Sequence, residues 1–295
     1  TSDIERLKGE IEDLKDIISR EERVLDIICR ELREIADTYG ADRKSEIISE
    51  DEVERITEEK LIEDYNVKLF LTREGYIKKI PLVSLRSSGE QKLKEEDAIL
   101  AETEARNKAE LLLFSNRAVV YKMKVHELPD CKASMLGEYL PNIIELEPGE
   151  RIIYMHAADD YSGYMLFAFE NGKVAKITLE SYATKLNRRK LTKAYSQLSP
   201  LVAIRYVAED QDFAALSSID KLLVFNRSEI NPKTTRDSQG VQVLKSKKGS
   251  VLVGFKPLSE ISLTDPDYYR AKIPAIGCYL KDKDKEDGQV SMFGA

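Results

Sequence analysis

The stretch Tyr65-Asn66-Val67-Lys68-Leu69-Phe70-Leu71-Thr72-Arg73-Glu74-Gly75-Tyr76-Ile77-Lys78-Lys79-Ile80 decides the fold. Val67, Leu69 and Leu71 alternate with Lys68, Phe70 and Thr72, Arg73-Glu74-Gly75 supplies a turn, and Tyr76 to Ile80 runs back. A period of two, rich in branched and aromatic residues and broken by a glycine turn, predicts a strand–turn–strand hairpin. The pattern returns at 110–123 with its turn at Ser115-Asn116-Arg117, at 164–177 with Glu170-Asn171-Gly172, and at 212–225 with Ser217 to Asp220. The turns are roughly 43, 54 and 48 residues apart, close to the period of propeller blades.

Each copy continues alike. Leu85, Leu128, Tyr182 or Ile230 precedes a polar loop, which leads to Gly89, Gly137 or Gly240 in three copies. An apolar stretch follows: 98–100, 151–155, 201–207 and 251–255. Four units are clear, and a worn fifth is expected over 251–280. A four-stranded unit cannot bury its apolar faces alone, so the units must stack, either in a ring or as an open stack or irregular sandwich. The repeat period favours the ring.

Ahead of the repeats, Ile4, Leu7, Ile11, Leu14, Ile18, Leu25, Ile28, Leu32 and Ile35 follow a heptad frame, interrupted only by Glu21. Such a stripe predicts helix with a partner helix against it. Ser19-Arg20-Glu21-Glu22 has the form of a capping box, and Gly40 is a natural stop. The expected organisation is a helical coiled-coil connector over 1–48, an acidic linker over 49–64, the β domain over 65–280 and a disordered tail over 281–295. The chain begins at Thr1 rather than Met, as expected of a piece of a longer protein.

Composition narrows the function. No apolar run approaches a membrane span and no secretory leader is present. Cys29, Cys131 and Cys278 are odd in number and far apart, which fits a reducing cytoplasm better than a disulfide framework or a zinc site. His126 and His156 lie outside any metal-ligand spacing, no glycine-rich phosphate loop opens a helix, and Glu95-Glu96-Asp97 and Asp159-Asp160 are acidic turns. The fragment is therefore expected to be non-catalytic. The net charge of −7 conceals an asymmetry. Residues 1–64 hold 11 basic and 22 acidic side chains, residues 65–258 hold 30 and 24, and residues 259–295 hold 5 and 7. A basic middle between acidic ends is a mild nucleic-acid signal.

The run from Tyr65 to Lys79 resembles the first-blade signature of the A subunits of DNA gyrase and topoisomerase IV. Arg23 to Ile28, Glu31-Leu32 and Tyr39 to Ile47 are similar to the segment that joins the coiled-coil arm of that subunit to its C-terminal domain. The resemblance implies a mainly β fold, a β-pinwheel of about five blades that exchange strands, preceded by a short helical segment. It further implies a cytoplasmic, nucleoid-associated bacterial protein that binds and bends duplex DNA on a basic rim. The full-length subunit would be homodimeric, would partner a B subunit, and would use ATP and Mg2+ in the complete enzyme. The gyrase box, QRRGGKG, has as its counterpart here Arg86-Ser87-Ser88-Gly89-Glu90-Gln91, with one arginine and a glutamate. That departure favours a topoisomerase IV-like subunit, acting in relaxation or decatenation, or a box-less paralogue.

Wrapping requires cations along a rigid curved surface, which contact phosphates without reading sequence. The densest cluster is Lys185, Arg188, Arg189 and Lys190, with Lys193. Lys78 and Lys79, Lys122 and Lys124, Lys173 and Lys176, Lys233 and Arg236, and Lys245, Lys247 and Lys248 follow. Arg205-Tyr206 has the look of a DNA-cleaving pair, but Val202, Ile204 and Tyr206 recur as Val251, Val253 and Phe255, so Tyr206 is expected in a strand. The tail pentapeptide Gln289-Val290-Ser291-Met292-Phe293 is similar to peptides that dock on the bacterial sliding clamp, with Gln289, Met292 and Phe293 as anchors. The competing reading is a protein-interaction β-propeller with no DNA role.

Overall fold

The computed structural model describes residues 2–45, 47, 61–86, 89–184, 189–246 and 249–285. The chain divides into two compact units, 1–57 and 58–295. In the first, helices α1 (Ser2–Ser19) and α2 (Glu21–Tyr39) carry the heptad stripe, and every apolar residue of that stripe is exposed. The expected capping box does not form. The Ser19 hydroxyl donates back to the Asp16 carbonyl, and α2 starts after Arg20 without a side-chain cap. Arg23, held by Asp13 and Asp16 at 2.7 and 2.9 Å, braces the junction instead. Gly40 closes α2 as expected.

The second unit is built from the predicted hairpins. They are β1 (Asn66–Thr72) with β2 (Tyr76–Pro81), β4 (Glu110–Ser115) with β5 (Val119–Lys124), β8 (Tyr164–Phe169) with β9 (Lys173–Thr178), and β12 (Asp212–Ser217) with β13 (Lys221–Asn226). The third turn residue is left-handed in all four, at Gly75, Ala118, Gly172 and Asp220. At Gly172 a Cβ would also fall 2.1 Å from the Leu244 carbonyl, so only glycine fits. Each hairpin gains an inner edge strand from the apolar stretch that follows it: β3 (Ile99–Arg106), β7 (Ile152–Ala158), β11 (Leu201–Val207) and β15 (Leu252–Pro257).

The fourth strand comes from further along the chain. β6 (Glu138–Tyr139), reached only after the second hairpin, returns to pair with β2. β10 (Lys190–Thr192) returns to β5, β14 (Val241–Gln242) to β9, and β16 (Cys278–Tyr279) to β13. Four four-stranded antiparallel sheets result, the first three each closed by a strand that comes after the next hairpin. The expected fifth unit resolves into β15 and β16 of the fourth sheet. Between them, where other repeats place a hairpin, residues 258–277 make short 3-10 turns at Leu258–Glu260 and Pro266–Tyr269 and lack a pair of alternating apolar strands.

The core lies between successive sheets. Leu69, Leu71 and Ile77 meet Leu111, Leu113 and Met123, while Leu112, Phe114 and Val120 meet Met165, Phe167 and Ile177. Leu166, Ala168 and Val174 meet Phe213, Ala215 and Phe225. The middle strands are thus buried on both faces, which is why β4 and β12 read as continuous apolar runs. The two end faces have local covers. Phe70 and Ile80 pack under Leu85, Cys131 and Ala133, and Leu216, Leu222 and Val224 pack under Tyr269 and Leu280. Among the described residues no buried cluster joins the fourth sheet to the first. Residues 282–285, expected in the disordered tail, form one helical turn. Its Asp284 is buried and accepts hydrogen bonds from the Thr264 amide and hydroxyl and from the Tyr269 hydroxyl.

Candidate nucleic-acid interface

The repeat gives the lysines comparable addresses. Counting four residues from the left-handed turn residue reaches Lys79, Lys122, Lys176 and, in the fourth sheet, Val224. The three lysines are only 3, 4 and 6% exposed. Lys79 Nζ lies 2.9 Å from Asp130 and donates to Asn107 Oδ1 at 3.0 Å, beside the Tyr65 ring. The Tyr65 hydroxyl donates to the same Asp130, and burial plus that carboxylate pushes its pKa up to about 12. Lys122 Nζ lies 3.3 Å from Glu110, donates to the Tyr182 carbonyl and the Thr184 hydroxyl, and sits over the Tyr161 ring. Lys176 Nζ sits 4.7 Å from the Tyr164 ring centroid and 3.5 Å from the Arg227 carbonyl.

Lys78 is also inside. Its ammonium donates to the carbonyls of Lys92 and Ala133 and to Gln91 Oε1, so it ties the end of the box-equivalent loop to the chain that leads into β6. Burial holds the Lys78 and Lys176 ammonium groups below the ordinary lysine range. All four were expected as rim cations; the structure places their side chains inside the domain, engaged with its acids, carbonyls and rings.

Of the remaining described candidates, Lys190 lies on the edge strand of the second sheet, and that sheet is unlike the others. In the first, third and fourth sheets the residue just before the exchanged strand is a left-handed glycine, Gly137, Gly240 or Gly277, pressed against the backbone of the hairpin. The pairing register puts Lys190 at that place in the second sheet, opposite Tyr121, and the strand is one residue longer. After the exchanged strand, Leu140, Val243 and Leu280 are buried and donate their amides to the carbonyls of Gly75, Gly172 and Asp220. In the second sheet Ala194 makes that bond, to Ala118, and Lys193 is an extra residue ahead of it with a left-handed φ of 54°. An inserted residue in a strand is left unpaired and bends outward, so Lys193 is pushed into solvent.

Arg189, whose carbonyl accepts the Lys122 amide, is 67% exposed. It faces Glu127 at 3.3 Å, and Lys190 faces Glu147 at 3.8 Å while lying over the Tyr121 ring. Exposed pairs of this kind contribute little and exchange readily for phosphate. The support beneath is firm. Tyr121 donates its hydroxyl to the Glu150 carboxylate and the Glu145 carbonyl. Burial alone would raise the Glu150 pKa. The Ser115 hydroxyl, the Glu147 amide and the Tyr121 hydroxyl hold it below the usual range, so it stays ionised and internally engaged.

Lys124 ends β5 on the same sheet and has no ion pair among the described residues. The third sheet carries Lys173, bonded to Gln239 Oε1 at 3.1 Å, and exposed Lys233 and Lys245 on the chain beside β9. Arg236, half-buried, donates to the Ser181 carbonyl. Lys185, Arg188, Lys247 and Lys248 lie outside the described residues, as do Gln289, Met292 and Phe293. Tyr206 is in β11 as expected, with its ring stacked 3.9 Å from that of His156 and its amide donating to the Tyr154 hydroxyl.

Comparison with known proteins follows the same lines. A family model described as the DNA gyrase C-terminal domain, beta-propeller, matches residues 69–101, 109–134 and 212–259. The A subunit of DNA topoisomerase 4 from Staphylococcus aureus is 27% identical over 271 residues, covering 88% of this chain and 34% of the relative. A crystal structure of the C-terminal domain of DNA topoisomerase IV superposes with a TM-score of 0.60 at 25% identity, covering 74% of this chain and 73% of that one. The sheet unit is similar to the C-terminal domains of topoisomerase IV and gyrase A subunits.

The E. coli ParC C-terminal domain shares the fold of this sheet unit, with a TM-score of 0.59 at 14% identity over 74% of this chain and 95% of that one. The chain spans about a third of the length of the topoisomerase subunits it matches. Among the described residues, no helix is long and apolar enough to cross a membrane, and no group of three or more His, Cys, Asp or Glu is arranged to hold a metal ion.

Proposed function

We propose that the domain binds duplex DNA without sequence preference along the outer edges of its second and third sheets. It would act as the C-terminal part of the A subunit of a type IIA topoisomerase. The observation that carries this reading is local. Where three sheets place a tight glycine and then a buried apolar residue, the second sheet places Lys190 and inserts Lys193, both turned outward. Nothing in the packing of the sheet needs either lysine, whereas a phosphate backbone running along the edge would use both. Lys124, Lys173, Lys233, Arg236 and Lys245 are proposed as further phosphate contacts, and Lys185, Arg188, Lys247 and Lys248 are proposed with them from the sequence.

In this reading the chain positions DNA, while strand cleavage, ATP and Mg2+ are supplied by the rest of the homodimer and its B partner, on the nucleoid in the bacterial cytoplasm. The short box-equivalent loop, held at Gln91 by Lys78, suits relaxation or decatenation better than gyrase-type supercoiling. The tail peptide 289–293 is proposed as a sliding-clamp ligand. The direct test is a mobility shift of a linear duplex over a range of salt. Binding that weakens steeply with salt and is lost on combined Arg189→Glu, Lys190→Glu and Lys193→Glu substitution supports the reading. Salt-insensitive binding, or none, removes it in favour of a protein-interaction scaffold.

A further inference from the structure

A depression of about 120 Å3 opens at the end of the second sheet, away from its hairpin turn, lined by Ile62, Lys108, Lys124 and His126. Three separate pieces of chain bring these residues together: the entry to β1, the β3–β4 turn, and the end of β5 where it runs into the 3-10 turn at 125–127. Neither Lys108 nor Lys124 makes an ion pair among the described residues. The acids around them are already engaged. Asp64 accepts the Lys108 amide and pairs with Arg106, and Glu127 accepts the Lys124 amide and pairs with Arg189. Glu110 is held by Lys122 and Tyr161, and Asp130 by Lys79 and Tyr65.

Two lysines and a histidine therefore line one hollow, and among the described residues neither lysine has an ion-pair partner. Ile62 forms an apolar wall that weakens solvent screening on one side. A water takes up about 30 Å3 of liquid, so the hollow admits a tetrahedral oxyanion with little hydration to spare. Several separate cationic or neutral donors suit a phosphate, which offers several acceptor oxygens, better than a planar carboxylate, which a single fork would grip.

We infer that Lys108, Lys124 and His126 form a socket for one phosphate group. The inference rests on the DNA reading above and deepens it. The Arg189–Glu127 pair links the socket to the Lys190 edge, so the socket would take a backbone phosphate and fix the register of a duplex that the rest of the edge merely attracts. His126 and Lys108 are thereby added to the interface.

The test uses the full 295-residue chain and fluorescence anisotropy of a labelled duplex across a salt series. The variants are K108A/K124A/H126A, the milder K108Q/K124Q, and R189E/K190E/K193E, each checked for an unchanged melting transition. The expected result is a roughly three- to tenfold loss of affinity for the socket variants and a salt slope shallower by about one. Inorganic pyrophosphate should raise the melting temperature of the wild type and of the edge variant but not of the socket variants. If the socket variants bind duplex as the wild type does while the edge variant fails, the socket is overturned and the DNA reading stands. If pyrophosphate protection depends on the socket while duplex binding ignores it, the backbone assignment is overturned. If no protein binds duplex, both readings fall together.

Discussion

Lys122 and Lys190 sit on paired strands of one sheet and have opposite fates. Lys122 points into the domain, where Glu110, the Tyr182 carbonyl, Thr184 and the Tyr161 ring enclose its charge. Lys190, on the neighbouring strand, lies at the surface over Tyr121 with a loose acidic partner. The first recurs in two other sheets as Lys79 and Lys176, and the second replaces a glycine and recurs in none. The lesson is that a lysine repeated with the blade period belongs to the fold. A lysine that breaks the repeat is the better candidate for function.

That contrast is open to direct measurement. The largest effect is expected on stability from Lys122→Ala. Removing one partner of a buried pair strands Glu110 without a counter-charge and costs about 3–5 kcal/mol. Urea unfolding reads this directly, and a cost below about 1 kcal/mol, the scale of an exposed pair, would mean Lys122 is not a structural lysine.

Burial acts in the same way on a half-buried group away from the DNA edge. Desolvation of His156, stacked on Tyr206, lowers its pKa from 6.5 to about 4, so the folded state disfavours the proton. The folded pKa is depressed, so the domain keeps full stability above pH 6.5. It should lose up to about 3 kcal/mol as the pH falls from 6.5 to 4. A His156→Gln variant should lack this component, and a wild type whose stability is flat across that window would contradict it.

A third experiment converts one sheet into the others. Replacing Lys190 with glycine and deleting Lys193 gives the second sheet the edge of the first, third and fourth. Two lost phosphate contacts predict a drop in duplex affinity of roughly tenfold near 0.1 M salt, with the urea midpoint little changed. Loss of folding instead would show that the two lysines serve the sheet. The smallest effect concerns the tail. A peptide of residues 286–295 is expected to bind sliding clamp weakly in fluorescence polarisation, and an absence of binding at high micromolar peptide would discard Gln289, Met292 and Phe293 as anchors.

Much of the fold was legible in the chain. The four hairpins, their turns and the strands after them follow from period-two alternation ended by Gly75, Asn116-Arg117, Gly172 and Asp220. Strand exchange was not visible in the pattern, because β6, β14 and β16 are two-residue strands with no periodicity of their own and became expected only through family resemblance. The fifth blade was expected because β15 looks like β11, but nothing between 258 and 277 alternates. The site was less legible. Lysines 78, 79, 122 and 176 were counted as surface charge, since burial of a lysine depends on acids and carbonyls distant in sequence, such as Asp130 and the Tyr182 carbonyl. Lys108 and His126 stood alone in the sequence and meet only through the strand pairing of β4 with β5. A signal for Lys190 did exist, because the loop after the third hairpin lacks the glycine that precedes the exchanged strand elsewhere.

The central claim is that phosphates follow the outer edge of the second sheet and are not simply drawn to net charge. The decisive measurement is the slope of log K against log salt for duplex binding. It compares the wild type, R189E/K190E/K193E, and a control of equal charge change on exposed lysines of the first repeat, K92E/K94E/K132E. The slope should become shallower by about three in the edge variant and stay near the wild-type value in the control. Equal slopes in the two variants would contradict the account.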